Sequence, residues 1–206
     1  ACMHPTCFVR LFVVRALTAL AMAWGAANAG AQTTGPLPVV PVLDLQRYSG
    51  DWYEIARLPN FFQRNCGGQV RARYGQAVAG EVPVLNQCRR ADGTLIDAKG
   101  VARRVPRTDL PASGQLEVRF APSWLAWLPV AWGDYQVLAL DDDYRISLVG
   151  APGRDYLWLL ARQPTLPEAE IALWLAKARA LGFPTDQVQR TPQLPAVDAP
   201  TVGSSQ

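Results

Sequence analysis

An all-β antiparallel barrel with one helix packed outside it is the fold class that the sequence predicts, on three observations. Short segments alternate apolar and polar residues, as strands with one buried face do. The links between them are too short for crossover helices, which leaves up-and-down pairing. A single stretch near the C-terminus carries helical spacing. The 206 residues suit one domain with short tails, and half of them are apolar.

The first 31 residues read as a secretory signal peptide rather than as part of that domain. Arg10 and Arg15 bracket an apolar run from Leu11 to Trp24, followed by Ala27-Asn28-Ala29-Gly30-Ala31, with cleavage expected after Ala29 or Ala31. The run contains Arg15 and is short for a membrane span. Cleavage would remove His4, the sole histidine, together with Cys2 and Cys7, and would leave 18 basic against 17 acidic residues. So balanced a charge argues against nucleic acid as a partner. The cleavage region, AANAGAQ, has no cysteine to carry acyl chains, so an exported, periplasmic protein without direct lipidation is expected, with outer-membrane association left open. A Pro- and Thr-rich linker follows over 32–42, the folded domain is expected over 43–190, and a Pro-, Ala- and Ser-rich stretch over 191–206 reads as a disordered tail.

Within the domain, Val70, Ala72 and Tyr74 alternate with polar residues, as do Leu116, Val118 and Phe120. The inner set of the strand between them, Ile96, Ala98, Gly100 and Ala102, is small and leaves space, which suits a barrel around a cavity better than a dense sandwich. Three further strands are expected at 135–140, 144–149 and 156–161, with Asp141-Asp142-Asp143 as a hairpin turn. Thr165 and Glu168 read as a capping box. Ile171, Trp174, Leu175, Ala178 and Leu181 then share one helical face, and Gly182 and Pro184 stop the helix. That stripe is core packing against the barrel.

Cys66 and Cys88 are the two cysteines left after cleavage, and an even pair in an oxidising compartment favours a disulfide. A hairpin pairing Tyr74 with Gly80 sets Cys66 opposite Cys88, Val70 opposite Val84 and Ala72 opposite Val82. The competing reading is a reactive thiol at Cys66, its pKa lowered by Arg64 or Arg89.

Three segments go beyond pattern. GDWYEIARL (50–58) resembles the Gly-x-Trp block that opens the first strand of lipocalins. YQVLALDDDYRISLVGAP (135–152) and DYLWLLARQP (155–164) resemble that family's second and third blocks, in the right order and followed by the helix. The likeness is greatest to the bacterial outer-membrane and periplasmic branch, and extends to apolipoprotein D. It implies an eight-stranded up-and-down antiparallel β-barrel, the lipocalin calyx, with the C-terminal α-helix outside. It also implies that Gly50, Trp52 and Arg162 close the barrel, the guanidinium lying over the indole.

The function implied is carriage or storage of a fatty acid, lysophospholipid or similar hydrophobic ligand for upkeep of the cell envelope. The candidate wall residues are Val70, Ala72, Tyr74, Val84, Ile96, Ala98, Leu116, Val118, Phe120, Tyr135, Val137 and Trp158, the last strands being the least determined in facing. No cofactor, metal or catalytic residue is expected. A mature chain without histidine lacks the commonest general base and metal ligand, although an enzyme on the same barrel, working through Cys66 or an inward Glu54, is the second reading. A third is an envelope interaction module. It would use the apolar stretch 122–132, where Trp124, Trp127 and Trp132 suit a lid, a membrane-surface contact or a subunit contact in a homodimer.

Overall fold

The computed structural model describes residues 35–105, 109 and 112–193, all within one compact unit; the expected signal peptide and residues 194–206 lie outside the described residues. Eight strands run up and down in chain order: β1 (Gly50–Arg57), β2 (Gly68–Tyr74), β3 (Glu81–Arg89), β4 (Leu95–Arg104), β5 (Gln115–Arg119), β6 (Gly133–Leu140), β7 (Ile146–Gly150) and β8 (Leu157–Ala161). Each pairs antiparallel with the next, and β1 pairs with both β8 and β2, so the sheet closes on itself. A four-residue helix, α1 (Leu45–Tyr48), precedes β1. The long helix α2 (Glu168–Ala180) follows β8, and a two-residue strand β9 (Gln189–Arg190) returns beside β1.

Two apolar layers follow from the alternation. Trp52, Tyr74, Val84, Leu116, Tyr135, Val137, Val149 and Leu160 point into the barrel. Ile146, Leu148, Leu157 and Leu159 point outward and meet Ile171, Trp174 and Ala178 of α2. The expected helical stripe therefore packs on the barrel's outside, with Leu175 and Leu181 at its edges. The expected capping box does not form. Pro167 occupies the N-cap with no side-chain bond, and Glu168 instead pairs with Arg190. Glu168 and Glu170 in the first turn and Lys177 and Arg179 in the last complement the helix dipole in its place.

The register of the β2–β3 hairpin differs from the expected one. Tyr74 faces Val84 and Ala72 faces Asn86, rather than Gly80 and Val82. The cause is the turn: Ala79 and Gly80 both take positive φ between Val78 and Glu81, which bridge each other, making a two-residue hairpin turn beyond the expected one. The slip is even, so every side chain keeps its face. Cys66 and Cys88 are nevertheless bonded, with an S–S distance of 2.02 Å. A bulge between Gly68 and Arg71, with Gln69 at positive φ, brings the chain back so that the Gly67 amide donates to the Arg89 carbonyl.

The chain flanking the barrel is tied down further than expected. Leu37 is buried in the outer layer, and Val40 exchanges backbone hydrogen bonds with Val137 and Gly114. At the other end Thr191 donates to the Ile55 carbonyl, and Gln69 donates to that of Pro192.

Candidate functional site

One end of the barrel is sealed. Trp52 is 0% exposed, and its indole N–H donates to the Tyr48 carbonyl at 2.8 Å. Arg162 lies with its guanidinium carbon 3.9 Å from the Trp52 ring centroid. The same guanidinium donates to the carbonyls of Asp51 (2.8 Å), Arg47 (2.8 Å) and Tyr144 (3.2 Å), and so joins β1, α1 and the β6–β7 hairpin. Gly50 permits this: its φ is +98°, and a Cβ there would sit 3.2 Å from an Arg162 nitrogen. Above the indole, the Tyr48 hydroxyl bonds those of Tyr135 and Ser147, each at 3.0 Å, and the Tyr74 hydroxyl donates to Tyr135 at 2.8 Å. Burial pushes all three phenols above their ordinary pKa, so this floor holds neutral hydroxyls that satisfy one another.

The other end is open. Pairing places Ala98 opposite Asn86, Val118 opposite Ala102 and Gly133 opposite Val118, all on the inward face. Ala98, Gly133 and Phe120 face inward yet are exposed, while Ala72, Asn86, Ile96, Val118 and Trp158 are half-buried. These inward side chains that water reaches mark the open part of the cup. Gly133 leaves room, since a Cβ there would meet nothing closer than 3.9 Å, whereas the space beside Gly100 is filled by the Arg119 carbonyl and the ring of Phe120.

Of the twelve candidate wall residues, Tyr74, Val84, Leu116, Tyr135 and Val137 belong to the packed floor layer. Toward the mouth from it stand Ile96, Ala98 and Phe120, with Ala72, Val118 and Trp158 half-buried against the floor layer and Val70 buried two residues along from Ala72 on the same face. Asn86, in the middle of this wall, has a buried side-chain oxygen without a hydrogen-bond partner.

A polar cluster on one side of the cup was only partly foreseen. A bulge after Glu54 lets both Glu54 and Arg57 face inward, opposite Leu160 and Trp158. Their side chains lie 3.2 Å apart (Arg57 Nε to Glu54 Oε1). The Gln63 amide donates to Glu54 at 2.5 Å and accepts from the Trp158 indole at 2.9 Å. The Thr191 hydroxyl also donates to Glu54, and the Gln193 amide donates to the carbonyls of Glu54 and Val70. Burial raises the Glu54 pKa, against the opposing pull of Thr191, Gln63 and Arg57. Residues 189–193 thus fill the split where β1 parts from β2. Only the inward facing of Glu54 was legible in the sequence. Gln63, Thr191 and Gln193 lie in segments without periodicity, and nothing in the pattern brings them together.

Cys66 and Cys88 brace the β1–β2 loop (58–67) against the end of β3 at the mouth, so neither is a free thiol. The Trp-rich loop, also at the mouth, divides. Trp132 is pinned to the outer wall, 3.7 Å from the Arg103 guanidinium carbon and 5.1 Å from that of Arg119, with its indole N–H donating to the Ala126 carbonyl at 2.8 Å. Trp124 and Trp127 stay 71% and 76% exposed. A groove of about 340 Å3 runs between Ala126, Trp127, Pro129 and Trp132 and the wall at Arg103, Val105 and Glu117. Among the described residues no group of three or more His, Cys, Asp or Glu could hold a metal ion.

A closed floor, an open cup and a helix outside define the class of small-molecule-binding β-barrels. The family model of the lipocalin-like domain matches residues 43–193, and the chain belongs to that family. It is 36% identical over 159 residues to temperature-induced lipocalin-1 of Arabidopsis thaliana, covering 76% of this chain and 83% of that one. Outer membrane lipoprotein Blc of Escherichia coli K12 is 37% identical over 146 residues, covering 70% and 76%. Apolipoprotein D of Macaca fascicularis is 36% identical over 164 residues, covering 75% and 81%.

Proposed function

We propose that this chain carries or stores a lipid with a long hydrocarbon tail, a fatty acid, lysophospholipid or relative, in the upper half of its barrel, and that it acts as a binder in the cell envelope rather than as a catalyst. The observation that carries the reading is the group of inward-facing residues, Ala98, Phe120 and Gly133 foremost, that remain open to water above a sealed floor. Burying a methylene is worth about 0.8 kcal/mol, so about ten of them give a gross gain near 8 kcal/mol, enough for micromolar binding before ordering costs are subtracted.

The envelope setting draws its support from the disulfide, which persists in oxidising compartments, and from similarity to an outer membrane lipoprotein. The carrier reading is favoured over catalysis because both cysteines are bonded to each other and both Glu54 oxygens are engaged by neighbours. Native mass spectrometry of the protein purified from its own envelope, followed by organic extraction, tests the proposal. The expected result is a mass excess that extracts as a lipid. A protein that emerges empty and takes up no fatty acid or lysophospholipid on incubation contradicts it.

A further inference from the structure

The two ends of the barrel differ in chemistry as well as in closure. Up-and-down connectivity puts the β1–β2, β3–β4, β5–β6 and β7–β8 loops around the mouth, and most of the large apolar side chains left exposed among the described residues stand there. Phe61 and Phe62 project from the first of these loops at 66% and 72% exposure; Trp124, Trp127 and Val130 project from the third, which carries no charge from Phe120 to Trp132. Both loops are braced at their bases. Phe62 stacks on Tyr156 at 5.7 Å, and the Trp132 anchor fixes the Trp-bearing loop from behind.

The mouth loops are also weakly basic. The mouth carries Arg64, Arg89, Arg90 and Arg154 against Asp92 and Asp155, whereas the hairpin 141–145 at the floor carries Asp141, Asp142 and Asp143 against Arg145. Arg64 lies over the Phe61 ring, 4.1 Å from its centroid, so cation and aromatic face outward together.

We propose that the mouth rim is a docking surface for an anionic lipid bilayer, into whose interface Phe61, Phe62, Trp124 and Trp127 dip while Arg64, Arg89 and Arg90 meet the headgroups. Trp sits favourably at a membrane–water interface, and basic residues near an anionic surface add attraction that salt screens. Docked this way, the cup opens directly onto the layer that holds its cargo, and the acidic hairpin 141–145 points away. The inference rests on the carrier reading for its purpose but is measured separately from it.

The test is flotation of the disulfide-bonded protein with vesicles of phosphatidylcholine, with and without phosphatidylglycerol. Beside it runs solution titration of a fluorescent fatty acid in the absence of vesicles. The wild type is expected to float with the phosphatidylglycerol vesicles. Trp124→Ser with Trp127→Ser should lower partitioning about tenfold or more, and Arg64→Gln with Arg90→Gln should abolish the preference for phosphatidylglycerol, on the order of tenfold. Both pairs alter exposed side chains and should leave thermal melting and fatty-acid affinity unchanged. Wild-type protein that stays with neither vesicle, or variants that partition like it, overturns docking. So does a wild-type dimer that the Trp variants convert to monomer without vesicle binding, which makes the rim a self-association face. Vesicle binding with no fatty-acid uptake leaves docking standing and removes the carrier reading instead.

Discussion

Replacing Arg162 by Lys keeps the charge at the floor but removes its shape, and the cost can be worked out from the contacts. The guanidinium makes three hydrogen bonds to backbone carbonyls, on Asp51, Arg47 and Tyr144, and stacks 3.9 Å over Trp52. An ammonium on a flexible stem can reach one of those carbonyls and cannot lie flat on the ring. A hydrogen bond to a charged group is worth about 1.5–3 kcal/mol when buried. Arg162 is half-buried and the freed carbonyls can turn to water, so about 0.5–1 kcal/mol for each of two lost bonds is the better figure. The lost stacking adds about 0.5–1 kcal/mol. The total is about 2 kcal/mol, with Arg162→Met costing about 3 because it leaves all three carbonyls unpaired. Urea unfolding followed by far-ultraviolet circular dichroism should show the lower midpoint with an unchanged slope. Fatty-acid affinity should hold, because the guanidinium lies below the packed floor. A Lys variant within 0.5 kcal/mol of the wild type, or one that keeps its stability and loses ligand, refutes the reasoning.

Three further outcomes follow from the same geometry. Gly50→Ala forces an L-residue into φ +98° and brings its Cβ to 3.2 Å from Arg162, so a loss of about 1–3 kcal/mol is expected by urea unfolding; a neutral variant means that Gly50 does not set the closure. Cys66→Ser with Cys88→Ser opens a 22-residue separation and should cost about 3 kcal/mol, with the unfolding slope raised; equal stability of the oxidised and reduced wild type contradicts this. Glu54 has its folded pKa raised above the ordinary 4.5 by burial. The folded state therefore binds the extra proton, and the stability Glu54 contributes is full below pH 4.5 and declines as pH climbs through its raised value. Stability of the wild type relative to Glu54→Gln should fall across that window, and a relative stability that rises with pH contradicts it.

Much of the barrel was legible because strand alternation has a period of two. Val84, Leu116, Val118, Tyr135 and Trp158 all take the inward face expected of them, even though the β2–β3 register was misplaced. An even slip preserves facing, so the parity survived where the pairing did not. The turn responsible holds Ala79 at positive φ, a conformation that alanine does not advertise, and the expected turn stopped short of it. The disulfide was reached through a bulge rather than the ladder, so its pairing was right for a reason not visible in the spacing. The floor tyrosines show the opposite limit. Tyr74 and Tyr135 read as wall residues because facing can be inferred from sequence, whereas height along the barrel depends on shear between strands, which no local pattern encodes. The strap from Gln189 to Gln193 fell between an expected domain edge and an expected tail, since its hold on Glu54 and Val70 comes from side-chain bonds across 123–139 positions in the chain.

The carrier account depends on free space between Ala98, Phe120 and Gly133, and filling it is the most direct trial. Ala98→Trp projects an indole into the cup from a position that is already exposed, so the fold should tolerate it. Titration of a fluorescent fatty acid against wild type and variant, with melting curves to establish that both are folded, is the measurement. The account predicts saturable binding to the wild type at one site and a loss of about tenfold or more in the variant. Equal affinity in the two proteins, or no saturable binding to the wild type, contradicts it.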